Sequence, residues 1–99
     1  MAELLQMNLP DTWVITHHGF INENPFDELG ERNFSVSEDL FQANLVNLTL
    51  DIGFYRTEYQ VRLIEDFDWE NPLFSQNCKT RFEAKQIAES IAIERTNVI

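Results

Sequence analysis

His17 and His18 are the only histidines of this 99-residue chain and Cys78 its only cysteine, so metal or nucleophile chemistry has little to start from. Structural zinc sites use spaced Cys and His pairs, and no such spacing occurs here. His17 and His18 are neighbours in the strand-like stretch TWVITHHGFI, and neighbouring strand residues point to opposite faces. A surface or structural role is expected for both. Asp66, Asp68 and Glu70 open like a calcium loop, but Asn71 stands where that loop needs Gly and Asn77 where it needs a bidentate Glu. Ser35, Ser37, Ser75, Ser90 and Cys78 lie in no nucleophile elbow, and three isolated glycines cannot build a phosphate-binding loop. Carboxylates are so abundant that finding a pair for acid–base work carries no information. The expectation is a protein that binds rather than catalyses, with no metal or other cofactor.

Charge is where the sequence speaks. Seventeen Asp and Glu face seven Lys and Arg, for a net charge of −10. Residues 1–70 hold 14 of the acids and only Arg32, Arg56 and Arg62, a net of −11. Residues 71–99 hold three acids and four bases, a net of +1. Such a field repels nucleic acid and anionic membranes and attracts basic surfaces.

Two stretches concentrate the acids. DFDWE, from Asp66 to Glu70, alternates carboxylates with Phe67 and Trp69. In an extended strand same-face residues lie roughly 6.6 Å apart. Phe67 and Trp69 are then expected to plug into the body while Asp66, Asp68 and Glu70 project as a row. The plain reading is a solvated strand end; the functional one is an anionic ridge for Arg and Lys of a partner, with Trp69 as an aromatic anchor. The second stretch holds Glu23, Asp27, Glu28 and Glu31 with no interleaved lysine. If helical, its i, i+4 like-charge pairs cost about 0.2–0.5 kcal/mol each. The candidate partner-binding residues are Asp27, Glu28, Glu31, Asp66, Asp68, Trp69 and Glu70.

The elements that would position them follow from pattern. Residues 1–10 read as a short helix or a tail, Thr12–Ile21 as a strand, and 22–35, with Pro25 and Gly30, as a loop. Ser35 or Ser37 can cap a short helix reaching about Asn44, and Ser35 with Glu38 has capping-box spacing. Leu48, Leu50, Ile52 and Phe54 alternate strictly, as do Tyr59, Val61 and Leu63, so two strands joined near Tyr55–Thr57 each present one apolar face. Asp66–Asn77 reads as a loop containing Pro72. Thr80 and Glu83 then form a capping box for a helix with the apolar stripe Ala84, Ile87, Ala88, Ile91. Lys79, Arg81 and Lys85 give that helix a basic face, read as solvated or as steering the acidic half of a second copy into a homodimer. The expected fold is α+β: about three antiparallel strands packed on a C-terminal helix, with a short helix between strands 1 and 2.

Apolar residues make up 43% of the chain, eight of them Phe, enough to fold one domain spanning residues 1–99 with a radius of gyration of about 13 Å. No apolar run reaches 18 residues, no basic start precedes an apolar stretch, and the lone cysteine has no internal partner. A cytoplasmic location is expected. In charge and size alone the chain is similar to the small acidic proteins of phages and mobile elements that block nucleic-acid-handling machinery. The expected function is that of a small acidic protein-binding inhibitor or regulator. Its carboxylates would stand where phosphates otherwise sit, on a basic partner such as a nucleic-acid-binding enzyme. The alternatives are an immunity-type partner of a basic toxin and an accessory subunit that homo-oligomerises.

Overall fold

Strict alternation over Leu48–Phe54 and Tyr59–Leu63 puts seven apolar side chains on one surface, and burying that surface organises the rest of the chain. A computed structural model describes residues 3–26, 28–33, 36 and 39–98. Among them five strands form one antiparallel sheet in the order of the sequence: β1 (Val14–His18), β2 (Phe41–Leu45), β3 (Leu48–Tyr55), β4 (Glu58–Glu65) and β5 (Phe74–Cys78). The helix α1 (Arg81–Val98) packs on β3, β4 and β5. The radius of gyration is 13.4 Å.

Leu50, Ile52 and Phe54 of β3 and Tyr59, Val61 and Leu63 of β4 are buried on the face that α1 covers, joined by Ala84, Ala88, Ile91 and Ala92 of the helix. The N-cap half of the capping box forms as its spacing predicts. The Glu83 amide donates to the Thr80 hydroxyl at 3.1 Å, and that hydroxyl donates to the Glu83 carboxylate. The hairpin between β3 and β4 also falls where expected, with Tyr55 opposite Glu58 and Arg56–Thr57 as the turn.

Three expectations are overturned. The short helix does not form as read: Phe41–Leu45 is the strand β2. Phe41, Ala43 and Leu45 are buried while Gln42 and Asn44 are half-buried, a period of two that fits the β3 ladder. Pairing in register with β3 satisfies five residues of backbone at once, which outweighs a weak local helix signal. Ser35, Ser37 and Glu38, the capping residues of that reading, lie outside the described residues. The sheet has five strands rather than about three, because the stretch read as a loop to Asn77 contains β5. Ser75, Gln76 and Asn77 are exposed, so this edge strand is held by backbone pairing to β4 and by its ends Phe74 and Cys78, with no continuous apolar alternation between them. Residues 3–10 form neither a helix nor a loose tail. Leu4 bridges to Ile21, the Leu5 amide donates to the Phe20 carbonyl at 2.7 Å, and the Asn8 amide donates to the Glu89 carboxylate of α1 at 2.6 Å. This strap ends in Trp13, which is buried against α1. No described helix is long and apolar enough to cross a membrane.

Candidate protein-binding surface

The sheet face opposite the helix is polar by alternation, and its centre is Asp51. Register sets Gln42, Asp51, Arg62 and Ser75 side by side across β2, β3, β4 and β5. Asp51 is 1% exposed. One carboxylate oxygen accepts from Arg62 Nη2 at 3.0 Å and the other from Gln42 Nε2 at 3.1 Å. A buried carboxylate needs such a partner, because desolvation without one costs several kcal/mol. The same Arg62 Nη2 donates to the Tyr55 hydroxyl at 3.3 Å. The Arg62 guanidinium lies 5.1 Å from the Trp69 ring centroid and 5.8 Å from that of Tyr55. Arg62 therefore links the middle of the sheet to the loop after β4, since a cation over an aromatic face is attracted to its quadrupole.

That loop is not the extended ridge its alternation suggests. Asp66 and Phe67 both adopt left-handed backbone, with φ of 54° and 58°, and the chain turns. The Asp68 amide donates to the Glu65 carbonyl at 3.1 Å and the Trp69 amide to the Phe67 carbonyl at 3.0 Å. Across to the β2–β3 turn, the Asp66 amide donates to the Asn47 carbonyl at 3.0 Å, and Asn47 Nδ2 donates to the Asp66 carboxylate at 3.0 Å. Neither aromatic plugs into the body: Trp69 lies against Arg62 but is 38% exposed, and Phe67 is 72% exposed. Two consecutive left-handed residues break the two-residue alternation, so the ring that an extended strand would bury faces water. Glu65, Asp66, Asp68 and Glu70 are all exposed around it.

The second acidic stretch lies elsewhere. Residues 22–26 and 28–33 are irregular rather than helical, and a bridge between Phe26 and Arg32 closes the segment. Asp27 lies outside the described residues. Glu28 and Glu31 are exposed and line an open cleft of about 580 Å³ together with Asn22, Asn24, Arg32 and Arg81. Arg32 sits 4.6 Å over the Phe54 ring and donates to the carbonyls of Asn33 and Val36. Arg81 donates to the side-chain carbonyls of Asn22 at 2.8 Å and Asn24 at 2.7 Å. Both arginines thus hold the loop in place. Phe54 and Arg81 mark the end of the sheet near the Arg56 turn, whereas Asp66–Glu70 follow the other end of β4. Eight-residue strands separate the two acidic groups by about 27 Å. Sequence reasoning missed Arg32, Arg62 and Arg81 as supports. One available signal was that Arg62 falls on the polar face of its strand within a row that also holds Asp51.

The residues weighed for chemistry are placed apart. His17 Nε2 lies 3.0 Å from the Asp39 carbonyl, while His18 meets the Phe41 ring edge-on at 5.2 Å. Burial pushes the His18 pKa below its ordinary value, with the charge of His17 acting in the same direction. No group of three or more metal-ligating side chains occurs among the described residues. Burial, reinforced by Glu83 and Glu58, pushes the Cys78 thiol up to about 11. It is held as the neutral thiol, with Sγ 3.8 Å from the Thr80 carbonyl. Alkylation of the native chain at about pH 8 is expected to run about a hundredfold slower than that of the urea-unfolded chain. Because the folded pKa is the raised one, the thiol's stabilising contribution is complete below the unfolded value of about 8.5 and is lost as pH rises toward 11. Equal labelling rates in the two states would contradict this placement.

No known protein family, curated protein or solved structure matches the chain.

Proposed function

We propose that the protein is a small acidic protein-binding inhibitor or regulator that docks on a basic surface of a partner, a groove built for DNA or RNA phosphates being the chemistry it fits best. One observation carries the reading. Four carboxylates within six residues, Glu65, Asp66, Asp68 and Glu70, stand exposed on a loop tied down by hydrogen bonds at both its start and its base. Meanwhile Arg62 and Lys85 are engaged internally by Asp51 and Glu89. The surplus negative charge is thereby turned outward, on a scaffold that costs little further ordering when a partner arrives. Carboxylates so placed compete with phosphates for the same Arg and Lys side chains, and the attraction speeds encounter at low salt.

Paired affinity capture tests this. The wild-type chain and an Asp68→Lys/Glu70→Lys variant serve as baits at low ionic strength, followed by a salt wash. The expected result is a basic protein retained by the wild type, released by salt, and lost with the variant. Identical retention on both baits would remove the loop from the account. A second reading, an accessory subunit that self-associates, is favoured by Val14 and Ile15, which are exposed apolar residues on the edge strand β1. Sizing across protein concentration separates the two.

A further inference from the structure

Val46 and Phe67 are the large apolar residues that the sheet end carrying the carboxylates leaves most exposed. Val46, at the β2–β3 turn, is 81% exposed with φ 55°, and Phe67 is 72% exposed with φ 58°. Left-handed backbone is unfavourable for both a β-branched and a bulky aromatic side chain, and Gly or Asn takes it at little cost. Neither side chain recovers that cost by burial in the folded chain. The two positions are neighbours in space, because Asn47 and Asp66, next to each in sequence, share a backbone hydrogen bond and a side-chain hydrogen bond, both at 3.0 Å.

We propose that Val46 and Phe67 together form the apolar anchor of the docking surface, and that the partner offers an apolar pocket rimmed by arginine or lysine. The proposal rests on the acidic-docking reading above and specifies its centre. Charge selects the occupant. A second copy would bring another −10 chain with the same four carboxylates against these, and an anionic lipid surface is repelled likewise. A basic protein surface is attracted, and an aromatic ring at the centre of a charged rim is the arrangement from which interfaces draw most of their binding energy. Glu65, Asp66, Asp68 and Glu70 supply the rim.

A random peptide library panned on the immobilised chain at low ionic strength provides the probe. Enriched peptides are expected to combine basic residues with an aromatic or branched apolar one. The synthesised consensus peptide should move the amide signals of Val46, Asn47 and residues 65–70, and bind a Val46→Gly/Phe67→Asn variant about thirtyfold more weakly, as loss of an anchor does. That variant should melt at or above the wild-type temperature, since its new residues suit their backbone, so weaker binding cannot be ascribed to unfolding. Unchanged affinity for the double variant overturns the anchor. If basic peptides still bind that variant but not Asp68→Lys/Glu70→Lys, the anchor alone falls and the acidic docking stands. Enrichment without basic residues, or no enrichment, overturns both. Concentration-dependent broadening confined to these amides without peptide assigns the patch to self-association and also overturns the proposal.

Discussion

Replacing Asp51 with alanine is expected to lower the unfolding free energy by about 3 kcal/mol, as breaking a buried charge pair does. Asp51 is 1% exposed and accepts from both Arg62 and Gln42, so its removal leaves a largely buried guanidinium without its carboxylate. The Nε of Arg62 is already buried without a partner, so the 3.3 Å bond to the Tyr55 hydroxyl is what remains to the guanidinium. Arg62→Met leaves the complementary problem, a buried carboxylate with only Gln42, and is expected to cost a similar amount. A double Asp51→Leu/Arg62→Met variant should lose much less than the sum of the two, because the penalty of each single variant is the charge it strands. Urea unfolding with an unchanged slope measures all three. A loss below about 1 kcal/mol for Asp51→Ala would mean that water reaches the pair and that the sheet face is wetter than its burial implies. The same variant reports on the loop. Arg62 lies under Trp69, so releasing the guanidinium should shift Trp69 fluorescence and loosen the carboxylates from Glu65 to Glu70 even in chains that remain folded.

What sequence made legible depended on whether one side chain's position was decided by its near neighbours. The alternation of Leu50, Ile52 and Phe54 and of Tyr59, Val61 and Leu63 was readable because one sheet face packs on a helix. The helix itself was readable because Thr80 and Glu83 mark its start and the alanines its buried stripe. By contrast β2 was misread, since its strand character comes from β3 across the turn. The turns hid for a related reason. Val46 and Arg56 open two-residue hairpin turns with positive φ, at the position where glycine is the usual signal. β5 was invisible because only its ends, Phe74 and Cys78, reach the core, and Gln76 between them interrupts the apolar alternation. At the candidate site, sequence reasoning expected Asp66, Asp68 and Glu70 to project outward, and all three are exposed. It assigned their aromatic neighbours the wrong geometry, because the left-handed pair Asp66–Phe67 has no glycine or asparagine to announce it. Glu28 and Glu31 are exposed as well, but the strands between them and the β4–β5 loop make these two surfaces, not one.

Trp13 tests how far the fold depends on the strap that no periodicity announced. It is 5% exposed, and its indole Nε1 donates to the Ala92 carbonyl at 3.2 Å and the Thr96 hydroxyl at 3.0 Å, near the far end of α1. One side chain thus fastens the beginning of the chain to its end. Trp13→Ala is expected to cost about 4 kcal/mol, combining lost apolar burial with the cavity left behind. For a domain of this size that is near half of the total stability and corresponds to a fall of roughly 20 °C in Tm. Trp13→Phe keeps most of the ring and loses the indole donor, so about 1–2 kcal/mol is expected, the hydrogen bond being worth about 1. Amide exchange should localise the effect. In Trp13→Ala the last turns of α1 and residues 3–10 should exchange together and faster than β3 and β4, since the strap and the helix end hold each other. Uniform acceleration across the sheet would instead mean that Trp13 belongs to the same cooperative core as Phe54 and Tyr59. A loss below about 1 kcal/mol would show the strap to be dispensable, leaving the sheet and the inner half of α1 to carry the fold.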